Sequence, residues 1–411
     1  MLSPPPPELA PESPPQERVA RMIVLLAPLA FLASLAAMIA DIEPFASWFY
    51  VFAWWSYILV LDGWVYLRRG SSMLLSRPRA FLLLLPWSSA FWLFFEVVNW
   101  RLDNWYYVGL PSHAIGRFLG ILISFATVLP GVFETADLLS TWKLFERRRG
   151  NGERWRVTPE RAQRVALLGW AFLILPLLFP RYAFPLIWGA TCLIFEARLA
   201  RRGEPSLWTH LARGRPAIPL RLLLAGAICG LCWESWNYWA AAKWIYTVPF
   251  FEEHKLFEMP FAGFLGFPPF ALECYTFARM LVAARLVPEW EAQRERRLTS
   301  ARRQNAWALG ALLICFPAIW GVERWTMRST ATTAVERESL DAAALSLDRT
   351  ALMGARGRAW LASVNVTTIE ELASREVLPL IERLQSNGHG PSPRPSAPEV
   401  RVWSRAARRT R

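Results

Sequence analysis

Apolar residues run in long blocks along most of this chain, and charge gathers in the gaps between them. A helix needs ~20 predominantly apolar residues to cross a bilayer. Nine blocks approach that length: Val19–Ala40, Ala46–Leu67, Ala80–Trp100, Gly116–Leu139, Val165–Pro180, Tyr182–Ala200, Pro219–Trp239, Pro260–Val282 and Asn305–Val322. Backbone polar groups inside a bilayer must be bonded within the protein, so such blocks predict helices. Residues 1–18 are rich in proline (Pro4 to Pro7, Pro14, Pro15) and read as a disordered tail. They lack the cationic stretch of a signal peptide, so the first block is expected to be retained.

The polar positions inside the blocks repeat. Glu96, Asn99, Trp100, Trp105, Tyr107, Pro111, Pro130 and Glu134 are followed by Glu234, Asn237, Trp239, Trp244, Tyr246, Pro249, Pro269 and Glu273, offset by about 138 residues. Upstream, Asp62 with Arg68-Arg69-Gly70 is matched by Glu196 with Arg201-Arg202-Gly203. Spans one to four and five to eight therefore read as two copies of one unit. An even number of crossings per unit makes the copies parallel, related by an axis along the membrane normal. The expected fold is an all-α polytopic membrane protein: two parallel four-helix transmembrane repeats (19–144 and 165–286), basic loops at 145–164 and 287–304, a ninth transmembrane helix at 305–322, and a small helical C-terminal domain.

Charge fixes the expected orientation. The net charge of +13 lies mostly in Arg68 to Arg79, Arg147 to Arg164, Arg201 to Arg215 and Arg294 to Arg303, which follow spans two, four, six and eight. The positive-inside rule then puts these loops and the N-terminus in the cytoplasm, and the C-terminus outside the cell's inner (plasma) membrane. Basic runs of this kind set topology and meet anionic lipid, so no nucleic-acid partner is expected. All five cysteines (Cys192, Cys229, Cys232, Cys274, Cys315) fall within spans, where a small buried apolar role is expected. Glu252, Glu253, His254 and Glu258 read as a solvated loop, and no metal or cofactor is expected.

After span nine the chain turns polar. Gly354 and Gly357, then Thr367 or Thr368 with Glu370 or Glu371, resemble a helix-hairpin-helix or SAM-like domain over residues 340–386, the glycines making a turn and the threonine a helix cap. It is a candidate surface for a protein partner. Residues 387–411 are rich in Pro and Arg and read as disordered.

The candidate chemistry lies in the repeated acids. Ionisable groups within a bilayer are expensive, and mark a site by default. Glu96 with Asn99, and Glu234 with Asn237, share a helix face near the outer ends of their spans. Glu134 and Glu273 follow prolines that remove a backbone donor and free a carbonyl one turn earlier. A neutral carboxyl there is what acid-initiated chemistry on an alkene requires. Trp100, Trp105, Tyr107, Trp239, Trp244 and Tyr246 are candidate ligand contacts with Asn99 and Asn237. They read either as an aromatic belt at the membrane surface or as an aromatic pocket that grips an apolar ligand. The two pairs of acids lie ~10 Å or more apart in depth, so they share one site only if the linkers 101–115 and 240–259 fold inward.

The second motif is similar to the integral-membrane lycopene cyclase domain over residues about 80–285, on Glu234, Trp244-x-Tyr246, Gly263-x-x-Gly266-Phe267-Pro268-Pro269 and Glu273. The acid here lies four residues after a proline and is single, where that family pairs two acids. The resemblance implies a duplicated multi-span fold and a non-redox, proton-initiated ring closure of a linear carotenoid, with Glu134 and Glu273 in place of the family's carboxylates. Three functions stay open at this point: an enzyme acting on an isoprenoid or other membrane lipid, a proton- or cation-coupled transporter, and a non-catalytic scaffold.

Overall fold

The computed structural model describes residues 14–111, 113–248, 255–291, 300–327, 330–331, 354–390, 394–395, 399–400, 403–404 and 407–408. The first repeat comprises α1 (Pro14–Ile39), α2 (Phe45–Arg69), the short α3 (Met73–Ser76), α4 (Pro78–Leu102), and a fourth crossing split into α5 (Ala114–Phe125) and α6 (Val128–Thr141). The second comprises α7 (Pro159–Leu178), a crossing split into α8 (Pro180–Ala183) and α9 (Ile187–Arg201), the short α10 (Leu207–Ala212), α11 (Ala217–Trp239), and α12 (Phe267–Ala283). A further long helix, α13 (Ala301–Gly321), continues into a π-turn over Val322–Thr326. Eight helices among the described residues are long and apolar enough to cross a membrane, so the protein is an all-α polytopic membrane protein.

The shortfall from nine lies at the eighth block. Its α-helix has only 17 residues, because residues Phe261–Gly266 form a 3-10 turn and Pro268 and Pro269 open the helix proper. The first repeat breaks at the matching place, at Ala126 and Thr127, one turn before Pro130. Two serines of α4 stitch that break. Ser88 Oγ donates to Phe125 O and accepts from Leu129 N, and Ser89 Oγ donates to Leu122 O. Proline thus breaks the fourth crossing of both repeats, by removing an N–H that the preceding turn would have used.

Asp62 and Glu196 have equivalent jobs. Asp62 accepts from Ser72 Oγ and the backbone N–H of Leu74 and Leu75, holding the start of α3. Glu196 accepts from the N–H of Leu207 and Trp208, holding the start of α10. Carboxylates at helix N-termini satisfy orphan donors and complement the helix dipole.

The helical expectation missed one element. Both 101–115 and 240–259 linkers carry a short strand, β1 (Trp105–Val108) and β3 (Lys243–Tyr246), and the two pair antiparallel. Trp105 lies opposite Tyr246, Tyr106 opposite Ile245 and Tyr107 opposite Trp244. Exchanging the repeats maps this ribbon onto itself. The local two-fold of an antiparallel pair is perpendicular to the ribbon, so an axis along the membrane normal lays the ribbon flat across the end of the bundle. Smaller pairings join β2 (Leu110–Pro111) to β6 (Thr330–Ala331) and β4 (Lys255–Leu256) to β5 (Met259–Pro260).

Helix α13 runs from the basic-loop end to the ribbon end. Gln304 near its start accepts from Arg79, at the start of α4, while Met327 beyond its end bridges to Tyr107. The C-terminal domain comprises α14 (Gly354–Ala362), α15 (Ile369–Ser374) and α16 (Val377–Ser386). Its capping box is Thr368 with Glu371, as the sequence suggests. Two expectations fail here. Gly354 and Gly357 start a helix and do not form the turn, which falls at Ser363–Asn365 with Asn365 at φ 59. The tail is not wholly disordered: Val400, Trp403 and Ala407, at helical spacing in the sequence, are buried in the domain core with Trp360 and Leu372. At the other end, Pro14 and Pro15 belong to the first turn of α1, where a missing N–H costs nothing. The disordered tail expected over 1–18 thus fails at residues 14–18, which are helical; its residues 1–13, and residues 340–353 of the C-terminal domain, lie outside the described residues, as do Pro249, Glu252, Glu253, His254, Arg294, Arg296 and Arg297.

Candidate functional site

The two asparagines make the ribbon possible. Asn99 Nδ2 donates to Trp105 O (2.8 Å) and its Oδ1 accepts from Asn104 N (2.8 Å). Asn237 Nδ2 donates to Trp244 O and its Oδ1 accepts from Trp244 N, both at 3.0 Å. Each side chain substitutes for a strand partner and folds its linker back over the bundle. These amides are spent on backbone and neither orient the acids nor face the cavity described below.

Strand alternation then turns Trp105, Tyr107, Trp244 and Tyr246 inward. Glu96 accepts from Trp92 Nε1 (2.8 Å), Trp105 Nε1 (3.1 Å) and Tyr107 OH (2.5 Å). Glu234 accepts from Tyr246 OH at 2.7 Å, and its other oxygen has no partner among the described residues. Trp244 Nε1, the counterpart of Trp105 Nε1, lies near Glu234 but does not reach hydrogen-bond geometry. The linkers do fold inward, and the two upper acids are sealed beneath them in unequal states: one carboxyl with three donors, the other with one.

The lower acids do not join them. Glu273 Oε1 accepts from Thr191 N and Oγ1 (both 3.0 Å) and from Cys192 N (3.4 Å). Those N–H groups are free because α9 is kinked at Trp188, so Glu273 caps an internal helix start. Glu134 lies against Asp62, carboxyl to carboxyl, and no N–H or hydroxyl among the described residues donates to it. All four acids are fully buried, but they occupy two levels and do not converge on one point.

Below the ribbon, on the second-repeat side, is an apolar cavity of about 380 Å³. Trp105, Tyr107, Trp244 and Tyr246 wall it from the ribbon, Trp188 from α9 and Phe270 from α12. Its volume is in the range of ~300–1,000 Å³ usual for small-molecule sites. None of the four acids lines it; Glu96 and Glu234 lie behind the rings that bond to them. The rim includes Pro185 and Leu265, and Leu265 is 76% exposed. Apolar surface therefore continues outward from the cavity at Leu265.

Two further aromatic candidates lie elsewhere. Trp239 is half exposed at the end of α11, as a membrane-surface belt residue would be, and Trp100 packs on Trp325 after α13. The acidic stretch before β5 is not solvated throughout: Glu258 is buried and paired with Lys243 at 2.7 Å. His113 caps α5 through Nδ1. Cys229 is buried against Thr135 and Gly131, the small-residue role expected. Sequence reasoning missed Trp188, Met259 and Phe270 as cavity residues. The kink at Trp188 and the proline-opened start of α12 place them there, and only the prolines were visible as a signal.

A scan of family models finds no match to this chain, and searches of curated proteins and of solved structures return no match either.

Proposed function

We propose that this membrane protein binds an isoprenoid-type lipid in the cavity beneath its ribbon. One observation carries the reading: an apolar, ring-walled cavity of about 380 Å³ that continues into exposed apolar surface at Leu265. Flat π faces suit an unsaturated, methyl-branched chain, and a lateral rim lets such a molecule enter from the bilayer without crossing water. The positive-inside rule places the basic-loop end in the cytoplasm and the ribbon toward the outside. The test uses Gly266, which borders the cavity; a Cβ there meets Trp188 at an ordinary 3.6 Å. Protein purified in mild detergent should bind tritiated farnesol, and Gly266→Phe should lose it. Equal binding by both proteins, or none by wild type, sinks the proposal.

A second reading, acid-initiated rearrangement of that lipid, is favoured by the Glu234–Tyr246 pair. Tyr246 lines the cavity while its hydroxyl bonds to Glu234. The carboxyl would pass a proton through the phenol to an alkene carbon, leaving a cation that the surrounding rings stabilise. Bond formation by a second alkene and loss of a proton back to the carboxylate would close a ring with no net oxidation. This assigns to Glu234 the role that the resemblance gives to Glu134 and Glu273. Glu234→Gln should then abolish conversion of a linear carotenoid in pigment-producing cells, with farnesol binding retained; unchanged conversion removes the acid role.

A further inference from the structure

We propose that the first repeat holds a second copy of this lipid site, masked by the protein's own Trp48 and by the π-turn that ends α13. The inference rests on the lipid-binding reading above. It starts from a small residual space of about 40 Å³ lined by Tyr50, Tyr107, Ile121, Ser124, Phe125 and Trp244. Under the repeat register these positions correspond to those around the large cavity. Tyr107 and Trp244 exchange with Tyr246 and Trp105, Tyr50 with Phe184, and Ser124 with Gly263.

Three differences fill the first copy. Trp48 turns inward at a non-helical position of α2, and its ring lies so flat on Gly120 that a Cβ there would collide with it. Its counterpart in the register set by Asp62 and Glu196 is Tyr182, which points away and is 72% exposed. Val322, in the π-turn, lines the same space, and the second repeat has no such helix. The turn is pinned there: Arg117 of α5 bonds to Glu323 at 2.7 Å, and Met327 bridges to Tyr107. A π-turn is an uncommon geometry that recurs where a helix is locally adapted to a task. The ninth helix thus does more than cross the membrane. It occupies one of two equivalent cavities and leaves the chain one open site.

The test is photolabelling of the full-length protein with a diazirine derivative of geraniol, small enough for a partly emptied space, followed by peptide mapping. Wild type should be labelled around Phe184–Trp188 and Met259–Phe267 only. Trp48→Ala should gain labelling around Ile121–Phe125, and Trp48→Ala with Gly266→Phe should keep that label while losing the first set. Trp48→Leu, which removes the indole but keeps an apolar filling, should gain a weaker label and serves if the alanine variant does not fold. Labelling of both sets in wild type, or of the second-repeat set alone in folded Trp48 variants, overturns the masked site while lipid binding stands. Absence of specific labelling in every protein overturns both.

Discussion

Tyr246→Phe removes the one hydrogen bond that Glu234 receives, whereas Tyr107→Phe removes one of three donors to Glu96. The substitutions are chemically identical and sit at equivalent positions of the ribbon, facing each other's indoles across it. Their costs should differ. Losing one hydrogen bond where others remain costs ~1 kcal/mol net. Leaving a fully buried carboxyl with no donor adds its desolvation penalty, so Tyr246→Phe should cost ~2–3 kcal/mol. Replacing the acid as well, in Glu234→Met with Tyr246→Phe, removes the orphaned group and should recover most of the loss. Unfolding in mixed micelles with increasing SDS, followed by tryptophan fluorescence, gives the ranking. If Tyr107→Phe costs as much as Tyr246→Phe, or if the double variant is no better than the single, the two carboxyls are not in the unequal states described.

Glu258→Ala should destabilise by ~3 kcal/mol, because it takes the carboxylate away from the buried Lys243 ammonium and leaves it Tyr238 O and the Tyr238 ring, while Lys243→Met with Glu258→Leu should be near neutral in the same unfolding assay. Trp403→Ala should cost the C-terminal domain ~3–5 kcal/mol, read by protease sensitivity after residue 354, since Trp403 is buried in that core. His210, in the loop helix α10, is held down at about 4 from 6.5 by burial and then by Arg213 and Arg279. Between those values the unfolded chain takes up a proton that the folded chain refuses, so stability should fall as pH drops from 7 to 4. In a His210→Asn variant the pH-unfolding curve should be flatter over that window.

The repeat was legible because both copies kept the residues that do backbone work. Asn99 and Asn237, Asp62 and Glu196, and the prolines before the fourth-crossing acids each satisfy or remove a main-chain partner, and such jobs tolerate few side chains. The ribbon was not legible. Trp105-Tyr106-Tyr107-Val108 has strong strand propensity, but pairing is between segments far apart in sequence, and the aromatic belt explains the same composition. The cavity was hidden for another reason. It exists on one side only, through the kink at Trp188 and the turn of Tyr182, and a helical pattern does not register where a helix kinks. The buried tail residues were overlooked because Pro and Arg dominate the composition there, although Val400, Trp403 and Ala407 keep a helical period.

The ribbon also has a bearing on ancestry. A strand that pairs antiparallel with its own copy about a two-fold is self-complementary, so the ribbon is a contact that two separate copies of the unit could also make. Two separate identical units would be bound to change together, since any substitution appears on both sides of the axis. In one chain, with the copies joined through the loop at 145–164, each is free to differ from the other. One half could then keep its vacancy while the other was walled up, and an odd helix with an appended domain could be added to one side only. Asymmetry is open to joined copies in a way that it is not to identical separate ones.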